Sequence, residues 1–138
     1  MRLHGKKILV VDDEKALSGL LGEFLRREGA QVESAEDGAA GFRRAVFSAP
    51  DLVIMDLNMP GVNGLEAIRS LRLNNARMPI VVLTGYGSEE HFEAAREAGA
   101  DLCIAKPPRL ETLLQSLVLL LKGKASADDG ETSPPGPA

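Results

Sequence analysis

Five short apolar runs separated by amphipathic stretches predict an α/β fold, a parallel sheet with helices on both faces. Two observations carry this. The runs are Ile8–Val11, the weaker Gln31–Ala35, Leu52–Met55, Ile80–Leu83 and Leu102–Ala105. Two of them, ILVV and IVVL, are continuous Val/Ile/Leu segments and a third, LVIM, adds only a Met, as strands covered on both faces require. The stretches between them are long enough for helices, and their apolar residues recur at helical rather than alternating spacing. Five strand–helix units in succession specify parallel strands joined by right-handed crossovers.

After the first strand, Ala16–Arg27 sets Leu17, Leu20, Leu21, Phe24 and Leu25 on one helical face. After the second, Ala39–Phe47 places Ala39, Phe42, Ala45 and Val46 likewise. After the third, Leu65–Leu73 turns Ile68 and Leu71 inward and its arginines outward. The last helix, Leu110–Leu121, aligns Leu110, Leu114, Leu117, Val118 and Leu121 at about 100° per residue. Leu113 and Leu120 flank that stripe, and Leu119 falls outside it. Gly29, Gly61, Gly64, Gly99 and Pro79 mark the joins, where helix ends and turns favour Gly or Pro.

At 138 residues the chain is about one domain long. Its 16 Lys+Arg against 20 Asp+Glu leave a net charge of −4, which disfavours non-specific binding to nucleic acid phosphates. A single cysteine, Cys103, excludes an internal disulfide framework and a multi-cysteine zinc site. The longest apolar run, Leu117–Leu121, is far short of the roughly 20 residues of a membrane span. Met1–Lys7 is basic, but only Ile8–Val11 follows before Asp12, so no secretory leader is expected and the expected location is the cytoplasm. Residues 123–138 hold no Val, Ile, Leu or aromatic residue and are rich in Ser, Asp, Gly and Pro. Such a segment cannot offset its ordering entropy by burial, so a folded unit over 1–122 and a flexible tail or linker over 123–138 are expected.

In a parallel α/β sheet the ligand site lies beyond the carboxyl ends of the strands. Those ends carry Asp12-Asp13-Glu14, Asp56, Thr84 and Lys106-Pro107. Singly, each has a plain reading: an Asp after a strand caps a helix, and a Lys before Pro is a solvated charge. Their occurrence at the same end of different strands points to one pocket. Three carboxylates there repel one another, and a divalent cation relieves the repulsion. All-oxygen ligands suit Mg²⁺. One carboxylate can then act as a nucleophile towards phosphorus, with the cation and Lys106 offsetting phosphoryl charge. Thr84 offers a hydroxyl, and Gly85 a backbone N–H with no side chain in the way.

The segments ILVVDDE (8–14), MDLNMPGVNG (55–64), LTGYG (83–87) and AKP (105–107) resemble the receiver domain of two-component response regulators, the chemotaxis-regulator-like fold. The resemblance covers roughly residues 5–122 and implies a flavodoxin-like (βα)₅ architecture with strand order 2-1-3-4-5. It makes Asp56 the phosphoacceptor, supplied from a phosphohistidine on a sensor histidine kinase or phosphotransfer protein. It makes Asp13 and Asp56 direct Mg²⁺ ligands, Asp12 a ligand mainly through water, and the Asn58 backbone carbonyl a further one. Lys106 would pair with the phosphoryl group, aimed by a cis bond before Pro107, and Thr84 would shift towards it. Such a chain catalyses only its own phosphoryl transfer and dephosphorylation, so it is a switch and not an enzyme acting on a separate substrate.

This sequence departs from the family at Cys103, three residues before the lysine, where an aromatic switch residue is usual. Tyr86 is the aromatic nearest in sequence to Thr84 and is expected to take that part. The output is expected to be a downstream protein target or an effector domain beyond the tail, with homodimerisation through the fourth helix, fifth strand and fifth helix. The alternatives are a phosphorylation-independent scaffold and a Mg²⁺-dependent phosphohydrolase. Haloacid-dehalogenase-like phosphatases want D-x-D after the first strand, and Toprim domains want one later; neither is present. A dinucleotide site needs a glycine-rich turn where this chain has acids.

Overall fold

A computed structural model describes residues 1–59, 61, 63–85 and 89–127. Strand β1 (Lys7–Val11) leads through α1 (Lys15–Arg27) to β2 (Gln31–Ala35), and α2 (Gly38–Ser48) leads to β3 (Leu52–Met55). Helix α3 (Gly64–Leu73), β4 (Ile80–Thr84), α4 (Glu89–Ala98), β5 (Leu102–Ala105) and α5 (Leu110–Ala127) complete the chain. The sheet order is β2-β1-β3-β4-β5, and every pairing is parallel.

Alternation along each strand builds two cores, because successive side chains leave opposite faces of a sheet. Leu9, Val11, Val53, Met55, Ile80 and Val82 pack with Ala45 of α2, Ile68 and Leu71 of α3, and Ala95 of α4. Ile8, Val10, Leu52, Ile54, Val81 and Leu83 pack with Leu21 and Leu25 of α1 and Leu113, Leu114 and Leu117 of α5. Helix α1 therefore covers one face and α2 the other. The connections leave β1 and β3 in opposite directions, which opens a crevice at the strand ends between them.

Several expectations need correction. The stripe of α5 is centred on Leu113, Leu114 and Leu117, so Leu113 belongs to the core, whereas Leu119 is 68% exposed as expected. Helix α5 also continues through Ala127, past the expected end at Leu121. Lys, Ala and Ser in 122–127 sustain a helix, and the single Gly123 does not stop it. Leu20 and Val46 are exposed, and Arg72 turns back to the loop carbonyls of Met78 and Gly99 instead of pointing to solvent. Among the described residues, no helix is long and apolar enough to cross a membrane.

Candidate functional site

Parallel register places the predicted residues side by side. Val11 pairs with Met55, so the residues that follow, Asp12 and Asp56, leave adjacent strands together. The Asp56 N–H donates to Val11 O at 2.9 Å, which extends that ladder one step. Thr84 pairs with Ala105, and the next N–H, that of Lys106, donates to Thr84 O at 2.9 Å. The Lys106–Pro107 bond is cis, as expected.

Asp12 and Asp56 are buried, while Asp13 is exposed. Carboxylate oxygens of Asp12, Asp13 and Asp56 lie within 4.8 Å of one another. Lys106 Nζ reaches into the cluster, 3.0 Å from Asp12 Oδ2 and 3.4 Å from Asp56 Oδ2. The other oxygens are also engaged: Asp12 Oδ1 accepts from the Glu14 N–H at 2.9 Å, and Asp56 Oδ1 from the Asn58 N–H at 3.3 Å. Among the described residues Asp13 has no ion pair. Its exposed carboxylate beside two buried ones is a donor set that fits a hard divalent cation such as Mg²⁺.

Burial pushes the Asp12 carboxyl above its usual range, and the nearby Asp56 charge adds to this. The Glu14 N–H and Lys106 only partly offset the effect. For Lys106, burial works against the charge, but the hydrogen bonds it donates to Glu14 and Asp12 and the charges of Asp56 and Asp12 outweigh it. The ammonium is therefore held above its ordinary range and stays protonated at any physiological pH.

Asp13, Glu14, Asp56, Asn58, Gly85 and Lys106 line an open cleft of about 440 Å³. Thr84 lies beside it, fully buried at the end of β4. A larger groove of about 540 Å³ lies at the opposite, amino ends of the strands, lined by Lys6, Pro50 and Met78 among others. It collects none of the predicted site residues. Tyr86 lies outside the described residues. Cys103 is half-buried on β5, its thiol donating to Phe92 O of α4 at 3.7 Å. Glu14 received no role from the sequence, yet its Oε1 is 2.9 Å from Lys106 Nζ. Its one signal was its place directly after the acidic pair.

The family described as response regulator receiver domain matches residues 8–118, from β1 well into α5. The chain belongs to this family. Among curated receivers, response regulator MprA of Mycobacterium sp. (strain KMS) is 40% identical over 128 residues, covering 93% of this chain and 55% of the relative. The chain thus spans about half the length of the curated relatives it matches. A CheY-like receiver domain from Methanospirillum hungatei superposes with a TM-score of 0.85 at 29% identity, covering 88% of this chain and 98% of that one. The BeF3-activated N-terminal receiver domain of RstA from Klebsiella pneumoniae gives 0.79 at 30% identity, covering 83% and 97%. Such receivers act in two-component signalling, and the acidic cluster lies at the strand ends where the α/β architecture places its ligands.

Proposed function

We propose that this chain is a phosphorylation-controlled switch whose phosphoacceptor is Asp56. The observation that carries the reading is the meeting, at one buried carboxylate, of two further acids and the Lys106 ammonium. Lys106 lies nearer to Asp12, but Asp12 does not line the cleft; of the clustered acids that do, Asp56 is the one the lysine pairs with.

The donor is a phosphohistidine on a sensor histidine kinase or histidine phosphotransfer protein. An Asp56 carboxylate oxygen attacks phosphorus, and the P–N bond breaks. Its electron pair passes to the imidazole nitrogen, which takes up a proton. Asp13 and Asp56 would hold Mg²⁺, with Asp12 and the Asn58 carbonyl completing the set; when bound, the ion offsets carboxylate and phosphoryl charge. Lys106 pairs with the transferred group, and the Gly85 N–H and Thr84 hydroxyl provide hydrogen bonds once Thr84 moves towards it. Phosphoryl transfer needs little more than such positioning and electrostatic stabilisation. The chain turns over no separate substrate. Its receiver ends with α5, and the segment after it is a tail or linker to an effector, or the chain acts on a protein target alone. Leu119, exposed on α5, suits a dimer through α4, β5 and α5.

The test is Mg²⁺-dependent labelling by a small-molecule phosphoryl donor, read by intact mass. Wild type gains one phosphoryl group and Asp56→Asn none. Because the similar RstA receiver is described as BeF3-activated, beryllofluoride serves as the second probe. A wild type that accepts neither turns the reading to a phosphorylation-independent scaffold, which the Cys103 departure would then favour.

A further inference from the structure

Glu14 stands at the N-cap of α1 but makes no capping bond with its side chain. Ser, Thr, Asp or Asn is usual at that position, because a short side chain can reach the first free N–H groups. The Glu14 carboxylate instead goes to Lys106, at 2.9 Å the shortest of the three ion pairs the ammonium makes. Three N–H donors thus meet three carboxylates, and the lysine is saturated before any ligand arrives. Asp12 and Asp56 belong to the group of acids that can hold a cation; Glu14 does not. A cation held by that group would draw on two of the lysine's partners and leave the third untouched.

We propose that Glu14 is a positioning residue that holds Lys106 in the unmodified chain and competes with a phosphoryl group on Asp56 for the ammonium. The proposal rests on the phosphoacceptor reading above. Glu14 is more than half exposed, so its hold on the lysine is that of a surface ion pair, strong enough to bias the lysine and weak enough to be released.

The test is a beryllofluoride titration in saturating Mg²⁺, followed by amide NMR, on wild type, Glu14→Gln, Lys106→Met and the double variant. Glu14→Gln binds about two- to fivefold more tightly than wild type, the range expected for an exposed charge pair. In the Lys106→Met background the same substitution changes nothing. An equal gain in both backgrounds overturns the proposal, since simple repulsion between Glu14 and the anion then suffices. No gain in the single variant overturns it as well. Glu14→Asp keeps the charge but shortens the reach; it binds as tightly as Glu14→Gln, and wild-type affinity there overturns the proposal independently of Lys106→Met. A wild type that takes no beryllofluoride overturns the Asp56 reading itself and this proposal with it, a result distinct from the Glu14 outcomes.

Discussion

Arg72 donates twice to the carbonyl of Gly99, from Nε at 3.1 Å and from Nη2 at 2.8 Å. The same guanidinium donates from Nη1 to Ala76 O and Met78 O at 3.0 and 2.9 Å and pairs with Asp101 Oδ2 at 3.0 Å. Asp101 in turn accepts from the Ile80 N–H at 2.8 Å. One side chain at the end of α3 thus ties down the turns that lead into β4 and β5.

Arg72→Ala leaves three carbonyls without that donor, and we expect a loss of about 2–4 kcal/mol. Arg72→Lys recovers little, because one ammonium cannot span the same acceptors. Urea unfolding checks this: the midpoint falls and the slope stays unchanged. A loss below about 0.5 kcal/mol, the usual size of a surface substitution, would refute the bracket. Gly99→Ala acts on the same contact. Gly99 has φ +126°, and a Cβ there would lie 2.6 Å from Arg72 Cγ.

That bracket was invisible in the sequence, whereas the acidic cluster at the carboxyl ends of the strands was not. Helical spacing within Leu65–Leu73 shows which side of α3 points away from the sheet, and it puts Arg72 there. It does not show that a long side chain can turn back to carbonyls in loops distant in sequence. Asp12, Asp56, Thr84 and Lys106 were legible because each follows or ends an apolar strand, and parallel pairing carries strand ends together whatever the loops do. Glu14 was hidden for the opposite reason: its residue type is common on solvated helix starts, and only the distance to Lys106 gives it a partner.

The two glycines of the MPGVNG loop are needed for different reasons, and only one of them is conformational. Gly61 has φ +74° with open space around it. At Gly64 the constraint is contact: a Cβ would press on the Asp56 carbonyl oxygen and sit 2.7 Å from Leu57 Cα. Backbone cannot swing away as a side chain can. Gly64→Ala therefore shifts either the start of α3 or the turn after Asp56. We expect it to cost about 1–3 kcal/mol in unfolding experiments and to weaken beryllofluoride binding as well. Gly61→Ala costs about 1 kcal/mol and leaves that affinity near wild type. Equal affinity losses in the two variants would contradict the distinction.

At Cys103 burial pushes the thiol up, and the charge of Arg96 only partly offsets it. Reactivity follows the thiolate, so Cys103 should alkylate more slowly at pH 7.4 than a cysteine in an unstructured peptide. Denaturant should abolish the difference. A native rate equal to or above the peptide's would contradict the upward shift. Cys103→Ser should cost about 1 kcal/mol, since the hydroxyl loses apolar contacts with the α4 side of the core.

The raised carboxyl of Asp12 makes the stability of the metal-free chain depend on pH in a predictable sense. Its ordinary value is 3.8, and burial places the folded-state value above that. Between the two, the folded chain keeps a proton that the unfolded chain has released. The folded state then binds more protons, so unfolding free energy falls as pH rises through that interval. Lys106 is shifted upward too, but for a base this stabilises: its contribution is complete below 10.5 and is lost only in the alkaline range. It adds no slope near neutrality. Denaturant unfolding in a chelator at several pH values above 3.8, compared between wild type and Asp12→Asn, reads the contribution of this acid together with its coupling to the neighbouring Asp56. The variant should gain on wild type as pH rises, and parallel curves would refute the assignment. Mg²⁺ requires the ionised ligand and stabilises the state that binds it. Its stabilisation of wild type should therefore be larger at pH 7 than at the acid end, reversing part of the decline that the chelator exposes.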